Sequence, residues 1–282
     1  SLDQTNNRVS TGLKVSSAAD NAAYWSIATT MRSDNSALGT VQDALGLGAA
    51  TLDVAYTGME SAIEVVDEIK TKLVAAKEPG VDKAKIQSEI TELQAQLEGI
   101  ATSASFNGEN YLHTATGLTA GTESVVASFT RDASGNVSIE TIDVDTTATV
   151  LTDVDTAANG ILSQDRTGTN TNVASIAGGA NDITIDGTTT DAELDDMIEV
   201  VDAALSEMTD AATTLGASKK RIDMQNDFVG NLMDAIDRGV GQLVDADMSE
   251  ESTRLQALQV QQQLGIQSLS MANQNAQTIL SL

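Results

Sequence analysis

Two tracks of apolar residues, each eight positions long at a spacing of seven, constrain this chain more than any other feature. The first is Tyr24, Met31, Leu38, Leu45, Leu52, Met59, Val66 and Leu73; the second is Leu194, Val201, Met208, Leu215, Ile222, Val229, Ile236 and Leu243. A strict period of seven keeps one stripe facing a partner as a helix winds. Each track therefore predicts a long helix packed along a seam, roughly 75 Å in length at 1.5 Å per residue. The tracks flank a middle of different chemistry. From His113 to Thr190 the only basic residues are Arg131 and Arg166, Thr and Gly are frequent, and no helical period survives. That segment reads as a separate β-rich domain, with the chain ends coming together around it. The predicted class is mainly α with a β-rich insertion: a long heptad-patterned helical rod built from both chain ends, plus a small outer β domain.

The expected divisions follow from these shifts. Residues 1–20 are the end of an N-terminal helix and a connector, 21–112 the first part of the rod with a terminal turn, and 113–190 the outer β-rich domain. Residues 191–244 are the second part of the rod, and 245–282 a last helix. Gly12 and the Ser/Asp cluster up to Asp20 fit an extended connector that stops one helix and caps the next. A second seam of small or apolar residues, Ile27, Val41, Gly48, Ala55, Ala62 and Ile69, is interrupted by Asp34. Gly46, Gly48 and Gly58 each cost about 1 kcal/mol of helix propensity against Ala, which points to close helix approach. Glu78-Pro79-Gly80 ends the first long helix. A shorter amphipathic helix carries Ile86, Ile90, Leu93, Leu97 and Ile100.

Phe106-Asn107-Gly108 is a turn signal. Val125, Ala127 and Phe129, then Asp132 to Asn136, then Val137 and Ile139 read as strand, turn, strand. Ile183 and Ile185 predict a further short strand. Thr190-Asp191 reads as a cap for the second track, and Asp247-Met248-Ser249-Glu250 as a capping box that opens the last helix. That helix carries an apolar stripe of Leu255, Leu258, Ile266, Leu269, Ile279 and Leu280. Heptad stripes also suit the core of a self-contained bundle. The last stripe has only the short Leu2 to Leu13 piece as a local partner, so it is expected to bury against neighbouring subunits.

Composition removes several function classes. A formal charge of -26, from 41 acidic and 15 basic residues, argues against nucleic acid or anionic lipid as partner. No stretch approaches the ~20 apolar residues of a membrane span. Without cysteine there is neither a disulfide nor a thiolate metal site. The single histidine, His113, excludes a multi-His metal site and reads as a solvated loop residue. Asp153 to Ala158 lacks the Gly and Glu that a calcium loop of the EF-hand type needs, and reads as an acidic loop. Gly46-Leu47-Gly48 is a packing feature, and Lys219-Lys220-Arg221 a solvated face. No catalytic, cofactor or metal residue is assigned, and no cofactor is expected.

Ser10-Thr-Gly-Leu-Lys-Val-Ser-Ser-Ala-Ala-Asp-Asn-Ala-Ala23 resembles the signature of bacterial flagellins. Leu215 to Ser218, Val244 to Met248 and Met271 to Leu282 resemble the matching C-terminal motifs, so the likeness covers about residues 1 to 112 and 190 to 282. Asp20 to Ala28 is most like flagellins of rhizobial and related α-proteobacteria. The resemblance implies a subunit of the extracellular flagellar filament that polymerises with itself or with other flagellins. It also implies an inner tube of terminal helices, a surrounding rod layer and an outward-facing insertion. The implied transient partners are an export chaperone near the last helix, the type III export apparatus and the filament cap. Family members carry further N-terminal residues and usually a basic C-terminal residue, so a trimmed chain is expected.

The stretch Val65 to Ala75 corresponds to the one an animal Toll-like receptor reads in enteric flagellins. Here Glu68, Lys70 and Lys72 stand in a different order, and Lys lacks Arg's planar donor fork, so weak or absent activation is expected. Alternatives within the resemblance are a hook-filament junction protein and a filament subunit with an adhesive or proteolytic insertion. The absence of metal ligands in the insertion weighs against proteolysis.

Overall fold

The computed structural model describes residues 2–115, 120–132, 134–155, 159–170 and 172–280, with side chains described to residue 272. Five helices carry most of the chain: α1 (Leu2–Thr11), α2 (Ala22–Ala76), α3 (Lys83–Ser103), α4 (Asp191–Val244) and α5 (Met248–Leu280). The segment between α3 and α4 holds β1 (Ser105–Phe106), β2 (Glu109–Asn110), β3 (His113–Thr114), β4 (Thr122–Arg131), β5 (Val137–Asp145), β6 (Thr152–Asp153), β7 (Arg166–Thr167) and β8 (Val173–Ala174). β3 and β6 pair in parallel; β1 with β2, β4 with β5, and β7 with β8 pair antiparallel.

The helix ends follow their local chemistry. Gly12, at a φ of 73°, closes α1 through its N–H to the Arg8 carbonyl, in the left-handed geometry that glycine adopts at low cost. Asn21 starts α2, its side-chain oxygen accepting from the Tyr24 N–H. Asp82 does the same for α3 through Ala84. At α4 the sequence Thr190-x-x-Glu193 forms a reciprocal capping box. The Glu193 N–H donates to the Thr190 hydroxyl and the Thr190 N–H donates to the Glu193 carboxylate at 2.6 Å. Asp247 caps α5 by accepting from Ser249 and Glu250.

The chain packs as two compact units, residues 1–39 with 230–282, and residues 40–229. In the second unit the seam residues Leu45, Leu52, Met59, Val66 and Leu73 of α2 are buried, as are Leu194, Val201, Met208, Leu215, Ile222 and Val229 of α4. The two helices run antiparallel there. Lys77 bridges to Asp195, Lys70 to Asp202 and Lys219 to Asp53, so the partner number falls as the first number rises. α3 adds Ile86, Ile90 and Leu97 to the buried set. Burying each such side chain stabilises by about 1.5–3 kcal/mol, whereas the exposed ion pairs contribute about 0–1 kcal/mol each.

The packing does not divide at residues 113 and 190. The insertion belongs to the same unit as the helices it follows and precedes, and part of it packs directly on them. Gly48 of α2 shows this: a Cβ there would meet Val125 of β4 at 2.7 Å. At Gly58 a Cβ would meet Leu112 at 2.8 Å and Ala104 at 3.0 Å, while around Gly46 there is open space. These glycines therefore admit a strand and the segment after α3, not a close helix crossing. Gln225 of α4 donates to the Ala127 carbonyl.

β4 and β5 form the expected hairpin, closed by Asp132, which accepts from the Ser134 and Asn136 N–H groups. Asn107 and Gly108 have φ of 52° and 89°, the paired positive values of a tight hairpin turn. Ile183 and Ile185 are buried but form no strand. Their backbone is satisfied by α3 side chains: Gln94 donates to the Ile176 and Ile183 carbonyls, and the Ile185 N–H donates to Gln87. His113 is not a solvated loop residue. It is half-buried in β3, with Nδ1 2.8 Å from the Thr152 hydroxyl. In the acidic segment Asp153 is buried, accepting from the Asp155 N–H and the Asn159 amide; residues 156–158 lie outside the described residues.

Candidate assembly surface

The unit that joins the two ends of the chain is built from the signature region. Its small core is Val15 and Ala28 against Val240 and Val244, with Leu13, Met31, Ile236 and Leu243 partly buried around them. Leu38 is buried at 3% exposure. The connector between α1 and α2 lies along the end of α4: Lys14 and Val15 donate their N–H groups to the Val244 carbonyl, and Ala246 donates to that of Gly12. Four donors, the N–H and hydroxyl of Ser16 and of Ser17, converge on the Asp20 carboxylate. The Ser16 hydroxyl and N–H, then Ser17, outweigh the desolvation of Asp20 and hold its carboxyl below the usual carboxylate range.

Tyr24 departs from the expected seam, being 45% exposed. The antiparallel pairing explains it. Asn35 meets Asp237 and Ala28 meets Val240 and Val244, so one turn earlier Tyr24 lies past the last residue of α4. Ile27, at 49%, is exposed as well.

α1 packs on the first turns of α5. Arg8 donates to Glu251 at 2.9 Å in a part-buried ion pair, Thr5 is buried, and Leu255 and Leu258 are half-buried. α1 is ten residues long, and from Gln259 to Ala272 every side chain of α5 is exposed. Ile266 and Leu269 are 62% and 67% exposed. The side chains of Ile279 and Leu280 lie outside the described residues. At about 100° per residue, Leu255, Leu258, Ile266 and Leu269 share one side of the helix. Val260, Leu264 and Met271, all exposed, share the opposite side about 180° away. This second stripe was not among the expected site residues, although its i, i+4, i+11 spacing stands in the sequence. A helix apolar on two opposite sides is the pattern of one surrounded by neighbours.

Glu68, Lys70 and Lys72 lie on α2. Glu68 is exposed, Lys70 is paired with Asp202 at 2.5 Å, and Lys72 with Glu89 of α3 at 2.6 Å. Among the described residues no group of three or more His, Asp or Glu could hold a metal ion, and no helix is long and apolar enough to cross a membrane.

Paired chain ends, a capped connector between them and a last helix left bare on two sides define a class of helical protein whose termini carry its specific features. The comparisons name that class. The bacterial flagellin N-terminal helical region matches residues 1–116, and the bacterial flagellin C-terminal helical region matches residues 198–282. The chain is 56% identical to flagellin C of Rhizobium meliloti strain 1021, over all of this chain and 92% of that one. It is 46% identical to flagellin A of Rhizobium meliloti, over all of this chain and 94% of that one. It is also 46% identical to a flagellin of Brucella melitensis biotype 1, over all of this chain and 91% of that one. The chain belongs to the bacterial flagellin family.

Proposed function

We propose that the chain works as a structural subunit that polymerises into the bacterial flagellar filament, outside the cell, and serves swimming motility. Its work is mechanical, with no catalytic step. The observation that carries this reading is the bare second half of α5, where two apolar stripes face solvent in a chain whose other long helices bury theirs. Contacts from one copy to the next that are not self-complementary build an open helical polymer when the rotation between copies does not close. Leu255, Leu258, Ile266, Leu269, Ile279 and Leu280 are one contact stripe in this reading, and Val260, Leu264 and Met271 the other.

Before assembly such a helix is an aggregation hazard, which supports a chaperone that covers it until export through the type III apparatus and insertion beneath the filament cap. Lys70 and Lys72 are held in ion pairs on the stretch that enteric relatives offer to the Toll-like receptor, so weak or absent activation of that receptor belongs to the same proposal.

The test is to replace Leu264 and Met271 together by Asp in the intact gene product and examine cells and purified protein by electron microscopy. Filaments should be lost while helical content by circular dichroism stays within a few per cent of wild type. Filaments of normal length and yield from the double variant would overturn the proposal.

A further inference from the structure

We propose that the first turns of α2, at Tyr24, Trp25 and Ile27, are the surface on which the bare part of α5 from a second copy docks. This rests on the polymer reading above and names the two faces that meet. Tyr24, Trp25 and Ile27 are 45%, 39% and 49% exposed, three large side chains close together in a chain that is only 2% aromatic. Ala28 packs on Val240 and Val244 near the end of α4, so the turn before it extends beyond that helix. At about 100° per residue the three side chains span about 160° of the α2 surface. An apolar patch of this kind marks a contact site.

Charge decides what covers it. Copies that each carry a net charge of -26 repel one another, so two of them approach most readily where neither surface is charged. Among the five helices, the two longest runs without a charged residue are 255–280 in α5 and 22–31 in α2. Both belong to the unit formed by residues 1–39 and 230–282, and both present large apolar side chains to solvent. The α5 of the same chain is not the occupant, because its side chains from Gln259 to Ala272 are all exposed. Two α2 starts set face to face would bring Arg32 against Arg32, an exposed cation with no ion pair among the described residues. A contact of α2 with α5 avoids that repulsion, and since its two faces differ it can repeat from copy to copy in an open polymer.

The polar groups match as well. The Trp25 indole N–H and the Arg32 guanidinium are donors with no side-chain hydrogen bond among the described residues. Beside its apolar stripes α5 offers Gln261, Gln263 and Gln267, exposed amides whose oxygens accept without adding charge.

Trp25 is the one tryptophan of the chain, so its fluorescence reads this patch alone. The intact gene product is compared as single copies at low salt and as filaments at raised salt. Acrylamide quenching of Trp25 should fall at least about threefold on assembly, with the emission maximum moving to shorter wavelength. To identify the covering surface, unmodified copies are assembled with an excess of copies carrying Trp25→Phe and Ser268→Cys, the cysteine bearing a nitroxide. The chain has no cysteine of its own, so the label sits at one place on α5. Fluorophore and quencher are then on different chains, and Trp25 should lose most of its emission in the mixed filaments. The same label at Ser88→Cys on α3 should leave the emission in place. Filaments whose Trp25 is quenched as readily as in single copies would overturn this inference and leave the polymer reading standing. So would mixed filaments undimmed by the α5 label, or dimmed equally by the α3 label. If the unmodified protein forms no filaments, both fall.

Discussion

Leu52 and Leu215 have no measurable exposure, and each sits in the middle of its helix. Truncating a buried Leu to Ala removes its transfer energy and leaves a cavity, so Leu52→Ala or Leu215→Ala should each destabilise by about 2–5 kcal/mol in urea denaturation. A loss below about 0.5 kcal/mol in both would contradict the burial described. Asp196 of α4 carries a different load. It is 1% exposed, and its two oxygens accept from the N–H and amide groups of Asn170 and Asn172. Gly168 is part of the same clasp, because a Cβ there would meet Asp196 Cβ at 2.4 Å. Burial opposes the charge on Asp196, but the four donors prevail and hold its carboxyl below the usual range. A carboxylate depressed in the folded state contributes stability above its unfolded pKa, near 3.9, and loses it as the pH falls through the lower native value. Amide signals of Asn170 and Asn172 followed by NMR from pH 6 downward should hold steady to about pH 4 and move below it. Signals unmoved until the whole chain unfolds would refute the clasp.

At the scale of elements, the insertion packs on the helices that it joins. Removing residues 115–188 would strip Val125 from Gly48, free Gln87 and Gln94 of α3, and uncover Asp196, Glu199 and Glu207 of α4, where Thr169 and Arg166 now pair. The shortened chain should melt at least about 10 °C below the full one by circular dichroism. An unchanged melting temperature would show the insertion to be dispensable. The helices, their caps and the Asn107-Gly108 turn were readable in the sequence because each has a local or periodic signature. Heptad spacing placed Leu45 and Val201 on buried faces without any knowledge of the partner. The clasp on Asp196 leaves no such mark, since it joins a loop to a helix more than twenty positions away through side-chain amides. Gly48 was visible as an oddity, but whether a helix or a strand approached it depended on long-range packing. Tyr24 kept the heptad spacing yet lost its partner, because α4 stops at Val244.

For the whole molecule, the sequence and the structure meet at α5. One stripe was legible from Leu255 to Leu269, and the second emerged only when Val260, Leu264 and Met271 were all found exposed. A net charge of -26 keeps single copies apart at low ionic strength, and salt shortens the reach of that repulsion to about 8 Å at physiological strength, where apolar contact prevails. Amide hydrogen exchange in α5 from Gln259 onward, compared between single copies and filaments, tests this account most directly. Exchange should slow by about a hundredfold or more on assembly, because a bare helix frays and one packed on both sides opens only with its neighbours. Equal exchange in the two states would mean that this helix stays uncovered in the polymer, and would contradict the account.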